Sequence, residues 1–378
     1  MLARVLASFF ATIVSNGLAR YGYVVLIPIL ILEQKLSEKE SIALALAVLL
    51  GYIFGSYFVA FLKKFLSMES IAQLAFFLTS FSFFACAMDF IGFLWLFIWR
   101  FIAGFACSAL IILSMPLVLP YIKNKYKESI SGFIFAGVGV GVLLAGFTLP
   151  FLAHINVNLA WLSMGGLSFI LFLFSLFAFR EKTEFKKDEK GTKLDFSFFF
   201  ILLLVSYILN SIGFLPHSIF WADYMARELN FNTILAGSSY SFFGFGCLFG
   251  SLLGGIFAQK FGVKAVHVVI LLLKSYACFL AISTTNIYLL NFSVFLMGFG
   301  TMSNVMLTNL MAFDIVKKSL FINSISFLTF CFGFFQALFS FVFYFLSSYL
   351  QSYVFIFLIS AILLFISAIL LLPIKKIR

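Results

Sequence analysis

The sequence predicts an all-α polytopic membrane protein whose twelve transmembrane helices form two bundles of six. Three observations support this: an apolar composition, twelve long apolar segments, and a charged stretch that separates the first six segments from the last six. Hydrophobic residues make up 63% of the 378 residues and charged residues only 10%. Soluble domains are about half apolar and about a quarter charged, so this chain has too little polar surface for a water-facing exterior.

Segments long enough to cross a bilayer occur twelve times. A transmembrane helix needs about 20 apolar residues. We number the candidate segments as spans 1 to 12, and they cover approximately 4–32, 40–62, 70–88, 92–120, 129–153, 159–179, 196–222, 233–258, 265–284, 287–313, 320–345 and 353–373. The first segment continues well past the apolar core of a secretory signal, so we expect it to be retained.

The longest hydrophilic stretch lies between spans 6 and 7 and reads REKTEFKKDEKGTKLDF. Its mixed charges and few large apolar residues are typical of a solvated linker. The predicted organisation is a six-helix bundle over residues 1–179, a charged cytoplasmic linker over 180–195 and a second six-helix bundle over 196–378. The motif GYIFGS in span 2 recurs as GCLFGS in span 8, which favours a duplicated six-plus-six design with a pseudo-twofold repeat.

Lysine and arginine in the loops predict the orientation. With a cytoplasmic N-terminus, most of the 25 basic residues fall on the cytoplasmic side, and the opposite side holds only Lys35, Lys39 and Arg227. Both termini are therefore expected in the cytoplasm, with the chain in the plasma membrane, which in bacteria is the inner membrane. The net charge of +11 does not indicate a nucleic-acid partner, because the charges are spread over short loops.

The five cysteines stand singly in apolar segments, without the paired spacing of a metal site or a disulfide. We therefore expect no metal and no cofactor. The expected partners are the lipid bilayer and a small-molecule substrate, and the expected oligomeric state is a monomer.

Motifs in the loops resemble those of the major facilitator superfamily (MFS). The family's loop signature, G-x-x-x-D-R-x-G-R-K, is similar to GIFAQKFGVK between spans 8 and 9, where the agreeing positions are Gly255, Lys260, Gly262 and Lys264. Gln259 replaces the acid of that signature. The loop between spans 2 and 3 keeps only the basic pair Lys63 and Lys64.

A narrower resemblance is to the YbfB/YjiJ-like branch of that superfamily. Its first-span pattern, G-x-x-R-[FY]-x-Y-x-x-x-x-P, is matched by Gly17, Arg20, Tyr21, Tyr23 and Pro28. Span 4 contains RFIAG from Arg100, and span 5 carries G-x-G-x-G. The resemblance implies the MFS fold, secondary transport, and a central cavity lined by spans 1, 4, 7 and 10. The glycines of span 5 are typical of the family's exporters and favour efflux.

Polar and basic side chains inside the spans are the candidate site residues, because an ionisable group in a bilayer faces protein or a water-filled cavity. Spacings of three and four place Asn16, Arg20 and Tyr23 on one helical face. The substrate-binding candidates are Asn16, Arg20, Tyr23, Arg100, Ser108, Asn210, His217, Trp221, Asn304 and Thr308.

Each of these candidates also has a structural interpretation. Arg20 could donate to carbonyls at a helix break, and Arg100 could snorkel to the membrane surface. His217 could simply bridge two helices, and the polar stripe of span 10 could serve helix packing. Lys274 in span 9 is expected to pair with a backbone carbonyl or to reach lipid headgroups.

Pro216 removes a backbone donor and is predicted to bend or open span 7 beside His217. A membrane-buried histidine can exchange a proton near neutral pH. His217 is therefore a proton-coupling candidate. Arg100 within span 4 and Asp223 at the outer end of span 7 are the other two candidates.

All fourteen acidic residues fall in loops or at span ends, so the sequence offers Arg20 no carboxylate near the bilayer centre. We therefore expect Arg20 to anchor an anionic or strongly polar organic solute. The leading hypothesis is a secondary transporter that works by alternating access, coupled to protons or acting as a uniporter or anion exchanger. Alternatives are a membrane-embedded enzyme, which would need clustered acidic, histidine or zinc-ligand motifs that are absent, and a non-transporting sensor.

Overall fold

The computed structural model describes residues 1–32, 35–88, 92–181, 196–221, 224–231 and 233–375, and its secondary structure there is entirely helical. Twelve of these helices are long and apolar enough to cross a membrane. This confirms the predicted all-α fold class and the number of spans.

Span 1 changes its helical type twice. It begins as the α-helix Leu2–Thr12, continues as the π-helix Ile13–Gly22, and returns to an α-helix at Tyr23–Leu32. Spans 2 to 6 are the α-helices Glu38–Leu62, Met68–Ala87, Phe93–Ser114, Lys127–Ile155 and Val157–Ala178. The short 3₁₀ turns Leu119–Tyr121 and Asn124–Tyr126 connect spans 4 and 5.

Span 7 is interrupted at its proline. The α-helix Phe198–Gly213 ends shortly before Pro216, and the π-helix Pro216–Phe220 follows. Proline has no N–H for the α-helical ladder, so the predicted opening of span 7 is observed. The π-helix Tyr224–Glu228 and the α-helix Thr233–Ser239 lead to span 8. Spans 8 to 12 are the α-helices Ser241–Phe261, Val263–Ser283, Ile287–Ile315, Phe321–Leu350 and Val354–Leu371, with the 3₁₀ turn Lys318–Leu320 before span 11.

Contacts between helices divide the chain into two compact units. The first comprises Met1–Lys123 and Gly137–Lys187, and the second comprises Asn124–Ala136 and Asp188–Arg378. The predicted linker lies outside the described residues except at Arg180 and Glu181, so the predicted domain boundaries stay a prediction.

In the first unit, span 2 packs closely on span 4. A Cβ at Gly51 would overlap the carbonyl oxygen of Phe101, and a Cβ at Gly55 would overlap that of Phe105. The two glycines therefore let the backbones of spans 2 and 4 touch, as small residues do in membrane helix pairs.

The second unit repeats this contact between spans 8 and 10. Here a Cβ at Gly246 would overlap the carbonyl oxygen of Phe295, and a Cβ at Gly250 that of Phe299. The recurrence of GYIFGS as GCLFGS thus has a packing reason within each unit, because the glycines of both motifs face a backbone carbonyl.

A buried ion pair joins spans 1 and 3 in the first unit. Arg4 Nη1 lies 3.1 Å from Glu69 Oε1, and both residues are buried. The Arg4 guanidinium also lies 4.6 Å from the centre of the Tyr121 ring and donates from Nη2 to the carbonyl of Glu181. Arg4 lies near the start of span 1, inside the unit, where a carboxylate offsets the cost of its burial.

Candidate functional site

The π-helix of span 1 carries the first predicted site residues. Arg20 is partly buried, and its guanidinium carbon lies 5.2 Å from the centre of the Tyr52 ring and 5.3 Å from that of Tyr21. Asn16 is buried and its side chain reaches the Tyr52 hydroxyl. Its Oδ1 has no hydrogen-bond partner in the described part of the chain. The cluster therefore combines a cation, an amide and a phenol, groups that can bind a polar or anionic solute.

Tyr23 does not share a face with Asn16 and Arg20, so that prediction is wrong. The spacing argument assumed 3.6 residues per turn, whereas a π-helix closes its hydrogen bonds over five residues and turns less at each residue. Asn16 and Arg20 stay together at Tyr52. Tyr23 instead packs against Arg100, whose guanidinium carbon lies 4.4 Å from its ring centre.

Arg100 is buried where the π-helix ends, with only 1% of its surface exposed. Its Nη2 donates to the carbonyl of Ala19 at 2.7 Å, and its guanidinium lies 5.7 Å from the ring centre of Trp161 in addition to its contact with Tyr23. Nε and Nη1 have no hydrogen-bond partner among the described residues. Arg100 therefore does not snorkel to the membrane surface. It fastens span 4 to a carbonyl of the π-helix.

Ser108 lies in the contact between spans 2 and 4. Its hydroxyl donates to the carbonyl of Phe105 at 2.8 Å, and a Cβ at Gly55 would overlap that hydroxyl. The structure thus places Ser108 in helix packing, and its role in binding stays a prediction.

In the second unit, His217 lies on the π-helix of span 7 and is fully buried. Its Nε2 lies 2.8 Å from the hydroxyl of Ser293 in span 10, which donates its proton to the carbonyl of Ala277 in span 9 at 2.8 Å. Because a hydroxyl has a single proton, Ser293 accepts from Nε2, and this assigns the hydrogen to that nitrogen. Nδ1 then faces the thiol of Cys278 at 3.8 Å. The structure therefore includes the helix bridge that was the alternative interpretation of His217.

Trp221 extends this buried cluster along span 7. Its ring stacks on that of His217, with centroids 4.9 Å apart and an interplanar angle of 12°. Its Nε1 donates to the hydroxyl of Ser239 at 3.1 Å, which donates in turn to Asn291 Oδ1 at 2.6 Å. The structure thus brings together two predicted residues, His217 and Trp221.

Three further predicted residues meet around a lysine of span 9. Lys274 Nζ donates to Asn210 Oδ1, and Asn210 Nδ2 donates to Asn304 Oδ1 at 3.2 Å. The Thr308 hydroxyl donates to the same oxygen of Asn304 at 3.4 Å. Lys274 Nζ also lies 5.3 Å from the centre of the Phe214 ring. Asn210 of span 7 and the pair Asn304 and Thr308 of span 10 therefore form one hydrogen-bond network with Lys274.

The position of Lys274 corrects its predicted role. Its side chain is 0% exposed, so it does not reach the membrane surface, and its partner among the described residues is an amide oxygen of a side chain and not a backbone carbonyl. A Cβ at Gly300 would overlap Cγ and Cδ of Lys274, so this glycine provides the space for the lysine stem. The sequence shows Lys274 as a cation inside a span, but its partners lie on spans 7 and 10 and cannot be read from spacing along span 9.

Several partners of these clusters were missed by the sequence analysis, namely Tyr52, Trp161 and Ser293. A single aromatic or serine side chain in an apolar span carries little signal, because most such residues fill helix contacts. Only the rotation and depth of neighbouring helices bring these three to the predicted residues.

The predicted loop residues lie at the ends of the spans. Lys63 is partly buried, whereas Lys64 and Lys260 are exposed. Gly262 has a φ of +90° in the turn between spans 8 and 9, a conformation that favours glycine. Lys264 Nζ donates to the carbonyl of Leu372 at 3.1 Å, after the end of span 12.

Gly255 is buried in the second unit, where its backbone touches that of Gly132. Asp223 lies outside the described residues, so its place in proton coupling stays a prediction.

Residues 12–372 match the family model described as "Uncharacterised MFS-type transporter YbfB". The chain belongs to this family. It is therefore a multi-pass membrane transporter of the major facilitator superfamily and not an enzyme. A comparison with curated protein sequences found no match.

Solved structures of MFS proteins are similar to this transporter. The proton:xylose symporter XylE bound to 6-bromo-6-deoxy-D-glucose has a TM-score of 0.79 at 13% identity, covering 97% of this chain and 94% of that one. A bacterial homologue of the iron transporter ferroportin, in an outward-facing state, has 0.73 at 15%, covering 98% of both chains. A double-tryptophan variant of XylE has 0.80 at 16%, covering 99% and 96%. These similarities confirm the predicted MFS fold.

Proposed function

We propose that this transporter moves a small polar or anionic organic solute across the bacterial inner membrane by alternating access, with Arg20 as the anchoring cation. The observation that carries the proposal is the position of Arg20. It lies on the π-helix of span 1, only partly buried, between the rings of Tyr21 and Tyr52 and near Asn16. π-Helical turns are rare and occur frequently at functional sites.

Arg100 and Lys274 are two further cations within the spans, and Arg100 supports an anionic solute. Arg100 contacts a backbone carbonyl and two rings, and Lys274 contacts an amide oxygen and one ring. Neither is bonded to a carboxylate in the residues that the structure describes. Fixed positive charges in a low-dielectric surrounding raise the local concentration of anions, so the Arg100 guanidinium favours a negatively charged solute.

The first span of each half contains a π-helix, Ile13–Gly22 in span 1 and Pro216–Phe220 in span 7. Interrupted helices at corresponding positions of two repeats indicate the binding site in many transporters. We therefore assign substrate contacts to residues of spans 1, 4, 7 and 10: Asn16, Arg20, Tyr23, Arg100, Ser108, Asn210, His217, Trp221, Asn304 and Thr308.

The proposed direction is export, and the proposed form is a monomer with both termini in the cytoplasm. Export is supported by the glycines of span 5, because Gly141 brings the backbone of that span against Gly17 in the π-helix of span 1. Proton coupling through Arg100, His217 or Asp223 is a further part of the proposal. The xylose and iron named for the similar structures are not carried over, since identities of 13% to 16% show the fold alone.

Counter-flow in proteoliposomes tests the role of Arg20. Radiolabelled lactate, succinate and glycerol phosphate are the probes, with xylose as the uncharged control. We expect the wild type to exchange at least one of the three anions, Arg20→Ala to lose about tenfold or more of that rate, and Arg20→Lys to keep part of it, because lysine supplies charge without the planar fork. Lys123→Ala, at an exposed cation between spans 4 and 5, is the matched control and should exchange like the wild type.

Equal rates for the wild type, Arg20→Ala and Arg20→Lys would contradict the assignment of Arg20. Exchange of xylose in place of all three anions would contradict the anionic substrate class while leaving transport itself in place.

A further inference from the structure

Lys274 is an amine buried in the second unit, and no carboxylate of the residues that the structure describes forms an ion pair with it. Its side chain is 0% exposed, its one hydrogen bond within the described part of the chain is to Asn210 Oδ1, and its Nζ lies over the Phe214 ring. An ammonium has three N–H donors, so this environment satisfies it incompletely. Asn304, the next member of the network, has an Nδ2 without a hydrogen-bond partner in the described residues.

The titratable groups that act electrostatically on Lys274 come from three spans: His217 on span 7, Cys247 on span 8, and His267 and Cys278 on its own span 9. None of these four groups is a carboxylic acid.

Spans 10 and 12 also pack on span 9. Span 10 reaches the lysine network through the amide of Asn304. The helix Val354–Leu371 of span 12 contains no titratable side chain.

A buried ammonium without a carboxylate loses its hydration without full compensation. Either a bound anion or the loss of its proton removes the cost of that burial. The side chain of Lys274 is enclosed by Asn210, Phe214 and the backbone of Gly300 and has no exposed surface. An organic anion therefore has no access to Nζ in this conformation, whereas a proton needs only a hydrogen-bonded neighbour.

Protonatable neighbours lie on both sides of Lys274 along span 9. His267 is about 10 Å away towards the start of the helix, at 1.5 Å per residue, and its side chain meets Asn304, which bonds to Asn210. Towards the other end, Cys278 lies about one turn beyond Lys274, with its sulfur 3.8 Å from His217 Nδ1. The lysine is thus placed between two histidines.

We propose that Lys274 is the proton-binding site of this transporter, with His267 and His217 as the groups that exchange the proton with it from either side. In this step a proton adds to the lone pair of the neutral amine at Nζ, and the same N–H bond breaks on release, so no other reactant is needed. The inference rests on the proposed transport function and names the group that couples it to protons.

Solid-state NMR of the full-length protein in liposomes, labelled with ¹⁵N at lysine Nζ, observes this protonation directly. Exposed lysines stay charged up to about pH 10. We expect a single Nζ signal to change from ammonium to amine below about pH 9, where exposed lysines are still charged. The changing signal should be missing from both Lys274→Arg and Lys274→Met. Two variants are used so that the assignment stands if one fails to fold.

If every lysine signal remains an ammonium up to about pH 9, or if the changing signal persists in both variants, the inference is overturned. This outcome does not depend on transport, because the proton is the only ligand that is measured.

The role in coupling is tested with lactate, succinate or glycerol phosphate, whichever the wild type exchanges. For each variant we take the ratio of transport driven by an imposed pH gradient to the counter-flow rate of the same variant. Lys274→Met should lower this ratio about tenfold or more, and Lys123→Met, at an exposed cation between spans 4 and 5, should leave it unchanged. An unchanged ratio in Lys274→Met overturns coupling through Lys274. Absence of wild-type exchange would instead contradict the proposed function, and the NMR titration would still decide protonation.

Discussion

At the scale of single residues, Arg4, Arg100 and Lys274 are three buried cations held in three different ways. Arg4 faces the carboxylate of Glu69. Arg100 relies on a carbonyl and aromatic faces, and Lys274 on one amide oxygen. Aromatic faces attract desolvated cations by up to about 2 kcal/mol, which is less than a buried charge loses in leaving water. Arg100 and Lys274 are therefore the cations with an uncompensated cost, and such positions are typical of function.

Glu69→Gln should destabilise the protein, because it leaves the Arg4 guanidinium buried without its carboxylate. Removing one partner of a buried ion pair costs about 3 kcal/mol or more, so we expect a clearly lower Tm in detergent. The double variant Arg4→Met with Glu69→Leu removes both charges and should recover most of the loss. A Tm of Glu69→Gln equal to that of the wild type would show that the ion pair contributes nothing to stability.

At the scale of helices, only one of the two π-helices near the predicted site could be anticipated. Pro216 signals the interruption of span 7 through its missing donor. Span 1 has no proline between Ile13 and Gly22. There, the backbone of Gly17 meets that of Gly141 in span 5, and the carbonyl of Ala19 accepts from Arg100 in span 4. Partners outside the span thus support this π-helix, and no local pattern encodes it.

The glycines of the repeated motif make a prediction about helix packing. Gly51→Ala in span 2 and Gly250→Ala in span 8 place a methyl group against the carbonyl oxygens of Phe101 and Phe299. We expect each to cost about 1–3 kcal/mol through overpacking, measured as a loss of Tm. Gly146→Ala in span 5 is the matched control, because a Cβ there meets no atom within 4 Å. If Gly51→Ala and Gly250→Ala have the same Tm as the wild type and Gly146→Ala, these helix contacts relax without cost and the prediction is wrong.

At the scale of the whole molecule, the distribution of lysine and arginine predicts which ends of the spans face the cytoplasm. Lys125→Cys, between spans 4 and 5, and Thr285→Cys, between spans 9 and 10, both lie at exposed positions. We expect a membrane-impermeant maleimide to label Thr285→Cys from outside the cell and Lys125→Cys only in inverted vesicles. The native cysteines are buried, so the unmodified protein is the control and should stay unlabelled. The opposite pattern would reverse the predicted orientation.

The membrane environment, the all-α class and the number of spans follow from the sequence alone. In a bilayer the helix satisfies its own backbone polar groups, so each long apolar run can be counted as one helical crossing. The polar positions of spans 7 and 10 were also readable, since Asn210 lies seven residues from His217 and Asn304 four residues from Thr308, spacings that place each pair on one helical face. Tertiary structure alone decided that Lys274 joins them, that Tyr23 turns to Arg100, and that Asn16 and Arg20 meet at Tyr52. These contacts depend on the rotation and depth of each helix against its neighbours, and close packing of glycines and aromatic rings on other spans sets both.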